Sequence, residues 1–271
     1  MKTCFNTITA GLDRRLEDII AACAKYRFDG MELDLRAIDE AATRGVTLND
    51  IGKRLKDGGL APVSVMAFNL APFATDDIDF ERFKRGVLAA QTLGAPMLLT
   101  FCYAAIPQDM GREAALAKAG ERAALYAKAA GPTKIALEPI GGTELMGGPT
   151  SALDIAKRSG AANVGVMMDT FHYWKSQVPD ADILAIPKDK LFIVHVNDSE
   201  DLPPSQAKDS HRMHMGLGVL PLKHDLELWK KIGYDGYLSV EIFREEYWKQ
   251  PVDKVVGDAK AAFDKWLGKG N

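Results

Sequence analysis

Short apolar runs alternate with longer segments whose apolar residues recur every three or four positions, from one end of the chain to the other. The short runs are typical of buried strands, and the longer spacing is typical of helices that cover a sheet. The runs predict strands at 2–6, 29–34, 62–68, 96–101, 134–138, 163–169, 191–196 and 237–242. The segments between them predict helices at 12–26, 47–57, 79–93, 111–130, 150–159, about 180–186, 222–232 and 252–267. This alternation favours a parallel sheet with crossover helices.

Several predicted helices carry recognisable start signals. Thr47 and Asp50 stand at the spacing of a capping box, and Thr150, just after Pro149, is a candidate N-cap. No internal repeat, low-complexity tract or interdomain linker interrupts the pattern, so we expect residues 1–271 to form one domain. Eight strand–helix units in a chain of 271 residues fit an α/β fold, the (β/α)8 TIM barrel.

The composition argues against several classes of protein. The formal charge of −3 gives no basic surface for a nucleic acid, and no apolar run approaches the roughly 20 residues of a membrane span. Residues 1–15 lack the long apolar core of a signal peptide. Three scattered cysteines without CxxC spacing fit free thiols in a reducing cytoplasm. We therefore expect a cytoplasmic protein with a small-molecule partner and neither a nucleic acid nor a membrane partner; a homo-oligomer stays open.

Four apolar runs in the second half of the chain end in residues that can bind a metal. They place Glu138, Asp169, His195 and Glu241 at the ends of the fifth, sixth, seventh and eighth predicted strands. In a TIM barrel the carboxyl ends of the strands meet in one ring, so these side chains are expected to converge. Three carboxylates and an imidazole packed together would repel one another and be costly to desolvate, and a divalent cation removes both problems.

Each of these residues also has an ordinary explanation when it is taken alone. Glu138 could form a surface ion pair, Asp169 could cap the following turn, and His195 could be a hydrogen-bonded core residue. Four such accidents at equivalent ends of consecutive strands are improbable, so the sequence predicts one divalent metal ion. The oxygen-rich set suits Mn²⁺, Zn²⁺, Mg²⁺ or Co²⁺, and composition does not choose among them.

Other polar residues near the predicted strand ends are candidate substrate contacts. His172 follows Asp169 by three positions within an aromatic cluster, and Arg212 offers a planar fork of donors for substrate oxygens. Glu32 ends the second strand and could face the cavity, although pairing with an arginine is equally compatible with its position. Asn69 closes the third strand and could present its amide to a polar ligand.

The longest predicted stretch without regular structure is 197–220, which follows the seventh strand. Compact barrels carry such long connections mainly where they cover a site. The stretch contains Arg212 together with the sequence Asp209-x-His211, and it ends in the glycines of MGLG at 215–218. We expect it to cover the substrate, and the sequence leaves open whether Asp209 and His211 bind a second metal.

Five segments resemble the xylose-isomerase-like TIM-barrel superfamily of sugar isomerases and epimerases, and within it the inosose isomerases. The segments are MKTCFN (1–6), IALEPIGG (135–142), VGVMMDTFHYW (164–174), VHVNDSEDLP (194–203) and LSVEIFREEYWK (238–249). The resemblance implies that the four strand-end residues bind one divalent cation. It also implies that His172 and Arg212 contact the substrate.

The implied activity is the isomerisation of a keto-polyol, such as 2-keto-myo-inositol, by proton transfer through an enediolate. Glu138 and Glu241 would then be the catalytic acid–base pair, because they approach the metal from opposite sides. A ketose 3-epimerase, or an isomerase or lyase acting on 3-keto sugars or their glycosides, would use the same site. A non-catalytic sugar-binding barrel and an abasic-site endonuclease are more remote alternatives.

Two departures from the family pattern bear on these expectations. Met215 replaces the proline that usually follows the loop arginine, so closure of the loop could differ. The Asp209-x-His211 pair is the one that DNA-repair relatives use for an additional zinc, but those nucleases also need histidines after strands three and four. This chain has Asn69 and Tyr103 near those positions, which argues against a three-metal nuclease site.

Overall fold

The computed structural model describes residues 1–268, and eight of its strands close into a parallel barrel. The barrel strands are β1 (Lys2–Asn6), β2 (Gly30–Asp34), β3 (Ala61–Asn69), β4 (Met97–Phe101), β5 (Lys134–Glu138), β6 (Val164–Asp169), β7 (Leu191–Val196) and β10 (Tyr237–Val240). They pair in chain order, and β10 pairs with β1 to close the ring. The predicted (β/α)8 barrel is confirmed.

Helices surround the barrel on the outside, and none of those within the described residues is long and apolar enough to cross a membrane. Their bounds are α1 (Leu16–Lys25), α2 (Leu35–Thr43), α3 (Leu48–Asp57), α4 (Ile78–Leu93), α5 (Arg112–Ala130), α6 (Pro149–Arg158), α7 (Thr170–Lys175), α8 (Asp180–Leu184), α9 (Leu222–Ile232), α10 (Glu245–Trp248) and α11 (Val252–Trp266). All eight predicted helices are present. The helices α2, α7 and α10 were not predicted.

The unpredicted α2 and α7 begin directly where a barrel strand ends. The Asp34 carboxylate accepts a hydrogen bond from the Arg36 backbone N–H, and that of Asp169 accepts from the backbone N–H groups of Phe171 and His172. An aspartate at a strand end can therefore cap a helix that starts at the next residue. The six residues of α7 are too few for an apolar period to be visible in the sequence.

The predicted helix starts were right at α3 and wrong at α6. Thr47 and Asp50 form the reciprocal capping box at the start of α3. At α6 the helix begins at Pro149, and Gly148 rather than Thr150 is the N-cap. Proline suits the first helical position because that position has no intrahelical acceptor for an N–H.

Apolar residues fill the lower part of the barrel, and polar residues collect at the carboxyl ends of its strands. The buried apolar cluster inside the barrel comprises Cys4, Val63, Met66, Met97, Leu99, Ala136, Met167, Phe192 and Ile193. Pairing between neighbouring strands sets Asp169 beside His195, and Glu138 beside Phe101. Glu241 lies one residue beyond the end of β10, so this strand is shorter than predicted.

The stretch 197–220 has more structure than the sequence indicates. Two short strands, β8 (Asp198–Ser199) and β9 (Arg212–Met213), pair antiparallel and bring Arg212 back beside the end of β7. The expectation of a structureless loop was therefore wrong. A strand of two residues is too short to show an alternation of apolar and polar residues in the sequence.

A single buried carboxylate holds the far end of this stretch. The side chain of Asp198 accepts hydrogen bonds from the backbone N–H groups of Gly216, Gly218 and Leu220 at 2.9–3.0 Å. A side chain at Gly218 would collide with the Ser199 carbonyl oxygen, since a Cβ there would lie 2.0 Å away. The loop after Arg212 is thus fixed by backbone contacts that do not require a proline at position 215.

Candidate metal centre

The four residues predicted from the strand ends meet at one point. One ligand atom from each of Glu138, Asp169, His195 and Glu241 lies within 4.8 Å of the others, and all four residues are buried. Each follows from the barrel topology: β5, β6 and β7 deliver the first three directly, and Glu241 comes just after β10. Among the described residues this is the only such cluster of three or more potential metal ligands.

The His195 ring is oriented with one nitrogen toward this cluster. Its Nδ1 lies 3.2 Å from Glu241 Oε2 and 3.7 Å from Asp169 Oδ2, and it is buried without a hydrogen-bond partner among the described residues. Its Nε2 lies 2.8 Å from Glu32 Oε1 on the opposite side. A buried nitrogen without a partner, facing three carboxylates, has the chemistry of a metal ligand, so the donor set fits one divalent ion.

Arg212 covers the cluster with its guanidinium group. Its Nη1 donates to Asp169 Oδ2 and to Glu241 Oε2, each at 2.9 Å. The guanidinium carbon lies 4.9 Å from the ring centre of Phe171 and 5.2 Å from that of Phe243. The arginine is only 1% exposed, so ion pairs and two aromatic faces compensate its desolvation.

The other end of the guanidinium contacts Asp209 and His172. Its Nη2 donates to Asp209 Oδ1 at 2.7 Å and lies 3.0 Å from His172 Nε2. His172 Nε2 is also 3.9 Å from Glu138 Oε1. Burial lowers the pKa of His172, so its ring is neutral and can accept a hydrogen bond from Arg212. Arg212 and His172 thus belong to the same buried polar network as the four ligands.

The four ligands do not share one electrostatic environment. Burial, with the negative charges of Glu241 and Asp169 added, raises the pKa of Glu138 well above its usual range. Burial also opposes ionisation of Asp169, but Arg212 and the two nearby histidines prevail and lower its pKa. Burial favours neutral His195, but the neighbouring carboxylates outweigh it and raise its pKa. Glu138 therefore holds a proton more readily than Asp169 in the absence of a cation.

Residues from other strand ends hold the ligands in place. Asn6, at the end of β1, donates from Nδ2 to Glu241 Oε1 at 3.0 Å. Asn197 Nδ2 donates to Asp169 Oδ2 and to the Glu241 carbonyl oxygen, both at 3.2 Å. Neither asparagine was predicted as a site residue. Asn6 closes the first predicted strand, so applying the strand-end criterion to amides as well as to ionisable groups would have found it.

An open cavity of about 250 Å³ lies above the cluster. Its ionisable lining residues, apart from Tyr103, are Asp34, Glu138, His172, Asp209, Arg212 and Glu241. The other lining residues are mostly apolar and are Ile8, Met66, Ala67, Phe101, Tyr103, Ile140 and Phe243. Tyr103 stands at the mouth, where burial of its hydroxyl and the charge of Asp209 raise its pKa to about 12. The cavity can hold a small polar molecule with one apolar face.

Two predicted substrate contacts lie elsewhere. Glu32 is fully buried behind His195, and its second carboxylate oxygen accepts from Ser64 Oγ at 2.7 Å. The amide of Asn69 donates to Asp79 Oδ2 at 3.1 Å and accepts from the Ala71 backbone N–H. Neither lines the cavity. Because they do not reach the cavity, we do not propose them as substrate contacts.

The Asp209-x-His211 pair does not assemble a second cluster of ligands. Asp209 points to Arg212, as described above, and Arg212 lowers its pKa against the opposing effect of burial. The His211 Nδ1 accepts a hydrogen bond from the Lys208 backbone N–H at 3.0 Å. Both side chains already have partners within their own turn, and no third ligand lies beside them in the described residues.

Comparison with known proteins agrees with this geometry. The chain is 25% identical to the inosose isomerase of Bacillus velezensis over 99% of this chain and 98% of that protein. It is 27% identical to the inosose isomerase of Bacillus licheniformis over 96% of this chain and 95% of that protein. The crystal structure of the IolI protein with a bound zinc atom superposes with a TM-score of 0.89, at 24% identity and 99% coverage of both chains.

A family model extends over nearly the same region. Residues 20–266 match the model described as the xylose isomerase-like TIM barrel. That span includes all four clustered ligands, Arg212 and His172, as well as seven of the eight barrel strands. The chain belongs to the xylose isomerase-like TIM barrel family.

Proposed function

We propose that this protein is a divalent-metal-dependent isomerase of a keto-polyol, with 2-keto-myo-inositol as the first candidate substrate. The observation that carries the proposal is the convergence of Glu138, Asp169, His195 and Glu241 beneath a small open cavity. Full-length similarity to two inosose isomerases supports the substrate class. Inositol catabolism in the cytoplasm is the matching context, and the three buried free cysteines are compatible with that compartment.

The four ligands would hold one ion through three carboxylates and the Nδ1 atom of His195. A bound divalent cation supplies Lewis acidity, which polarises the substrate carbonyl and stabilises the negative charge that develops during enolisation. Mn²⁺, Zn²⁺, Mg²⁺ and Co²⁺ all accept such a donor set. The zinc in the similar IolI structure makes Zn²⁺ the first ion to test.

We assign the main proton transfer to Glu138 and a supporting role to Glu241. Glu241 already accepts hydrogen bonds from Asn6 and from Arg212. No hydrogen bond to the Glu138 carboxylate is present among the described residues, and His172 Nε2 lies 3.9 Å from its Oε1. Glu138 lines the cavity, where a carboxylate can take a proton from the substrate and return it. Isomerisation requires this return at the carbon beside the original one.

Arg212 and His172 are proposed to hold the oxygen atoms of the substrate. Both line the cavity, and the guanidinium is fixed by Asp209 and by the faces of Phe171 and Phe243. A donor that is already in place requires little reorganisation when negative charge develops on the substrate.

Proton NMR of 2-keto-myo-inositol in D₂O tests this proposal. Zinc-loaded protein is expected to give deuterium uptake beside the carbonyl and the spectrum of a second keto-inositol, and a chelator-treated sample is expected to give neither. Uptake with inversion at one carbon would indicate an epimerase, and loss of water would indicate a lyase. Absence of metal-dependent uptake with this substrate and with a panel of linear ketoses and 3-keto sugars would contradict the proposed function.

A further inference from the structure

Glu32 is an ionisable residue buried inside the barrel. A carboxylate in that position needs a specific polar contact. Both Glu32 and His195 are 0% exposed, and the neighbours of Glu32 along β2, Met31 and Leu33, are apolar core residues. An isolated carboxylate in such surroundings is costly to desolvate. If packing were the only requirement, an apolar side chain would serve this position better.

The Glu32 carboxylate contacts a ring nitrogen of His195 and the hydroxyl of Ser64. Its Oε1 lies 2.8 Å from His195 Nε2, and its Oε2 accepts a hydrogen bond from Ser64 Oγ at 2.7 Å. Pairing of β2 with β3 places Ser64 directly beside Glu32. The hydrogen bond from Ser64 therefore joins two residues of the barrel sheet and holds the carboxylate in place. Ser64 thus hydrogen-bonds one carboxylate oxygen, and the other lies at ion-pair distance from the His195 ring.

An imidazole that binds a metal ion is neutral and carries one N–H and one lone pair, and an ionised carboxylate can only accept a hydrogen bond. The contact with Glu32 consequently requires the proton of His195 on Nε2, which leaves the lone pair of Nδ1 toward Asp169 and Glu241. His172 provides a contrast within the same site. Its Nε2 faces the Arg212 guanidinium, and no ion pair to its Nδ1 is present among the described residues.

We propose that Glu32 is a positioning residue that holds His195 with Nε2–H toward itself and Nδ1 toward the metal site, and thereby strengthens metal binding. This inference rests on the metal site of the proposed function, but it is independent of the substrate. Carboxylates that accept from the second nitrogen of a histidine ligand fix its orientation and raise its basicity, and losing one typically weakens metal affinity about 10–100-fold.

The test is a zinc titration of metal-stripped protein in competition with a chromogenic chelator. Glu32→Gln is expected to bind zinc about 10–100-fold more weakly than the wild type. Ser64→Ala keeps the carboxylate and removes one hydrogen bond, so a smaller loss of about fivefold is expected. The matched control is Glu17→Gln, because Glu17 is another buried glutamate, held by Arg44 and Arg15 on the outside of the barrel. It is expected to leave the zinc affinity unchanged.

Equal zinc affinity of folded Glu32→Gln and wild type would overturn the inference and leave the proposed function in place. Failure of the wild type to bind any divalent ion would overturn both. NMR of zinc-loaded wild type labelled with ¹⁵N-histidine provides a test that needs no variant at Glu32. The His195 signals are expected to report a proton on Nε2 and a metal-bound Nδ1, and a proton on Nδ1 would overturn the inference even if the variant does not fold.

Discussion

The two halves of the barrel contribute differently to the site. The second half, β5 to β10, supplies the four ligands and the covering Arg212. The first half, β1 to β4, supplies no ligand, but Asn6 contacts Glu241 and Glu32 contacts His195. Phe101 and Tyr103, at the end of β4, form part of the apolar wall of the cavity. One half therefore supplies the four proposed ligands, and the other contacts them and lines part of the space above them.

This difference shows why a parallel barrel can place a metal site so accurately. Side chains that point into the ring from β1 and β2 reach ligands on β7 and after β10 because the barrel closes between β10 and β1. Asn6 and Glu241 are far apart in sequence, yet their side chains lie 3.0 Å apart. The contacts of the first half depend on the closed ring, whereas the ligands of the second half follow from the strand ends alone.

The largest loss of activity is expected when one of the four proposed ligands in the second half of the barrel is replaced. Asp169→Asn removes a charged ligand that also caps α7 and pairs with Arg212. We expect the ion to be lost and kcat/KM to fall by at least about 10³-fold, which corresponds to several kcal/mol of electrostatic stabilisation. Steady-state kinetics with metal analysis measure this. Activity within tenfold of the wild type would contradict the assignment of Asp169 as a ligand.

A change at Glu138 separates proton transfer from metal binding within the same half. Glu138→Gln keeps an oxygen donor but removes the base, so we expect kcat to fall about 10²–10⁴-fold while substrate affinity changes only a few-fold. Glu241→Gln is also expected to reduce kcat more than substrate affinity. Calorimetric substrate binding and turnover are compared on the same metal-loaded samples. Near-normal turnover of either variant would sink the proposed acid–base pair.

The first half is expected to show a smaller effect at Asn6. Asn6→Ala removes the hydrogen bond to Glu241 Oε1 and leaves all four ligands in place. We expect kcat to fall about tenfold, because a hydrogen bond to a charged group contributes about 1.5–3 kcal/mol and the ligand can still bind the ion. A loss as large as that of Asp169→Asn would erase the distinction between the two halves.

The smallest effect is expected outside both groups, at His211. The ring is half-buried at the surface of the loop, and its contact is with the Lys208 backbone N–H. We expect His211→Ala to retain activity within about twofold of the wild type, as surface substitutions away from special contacts usually do. A variant that loses a stoichiometric second metal ion would show that the site extends to the Asp209-x-His211 pair.

The sequence predicted the ligand half of the site better than the supporting half. Glu138, Asp169 and His195 could be assigned because residue type and strand end together limit what a buried ionisable group can do. Glu32 also ends an apolar run, yet it faces His195 rather than the cavity, because its surroundings depend on the closed ring. Asn69 was misassigned for a similar reason, since its contacts with Asp79 and Ala71 form only after the chain turns into α4.

The same distinction applies to the fold. The eight barrel strands and eight of the helices were predictable from the apolar periods along the chain. The pairing of β8 with β9 and the short helix α7 were not, because each depends on a few polar contacts within the folded chain. Asp198 is an example: its carboxylate organises the backbone of Gly216 and Gly218, which no local sequence pattern reveals.

The central claim is that one ion is held by the four residues of the second half. The most direct test is to count the divalent ions that remain bound per chain after zinc loading and extensive dialysis, in the wild type and in Asp169→Asn and His211→Ala. The account predicts one ion in the wild type, one in His211→Ala and none in Asp169→Asn. Two ions in the wild type, or one retained by Asp169→Asn, would contradict it.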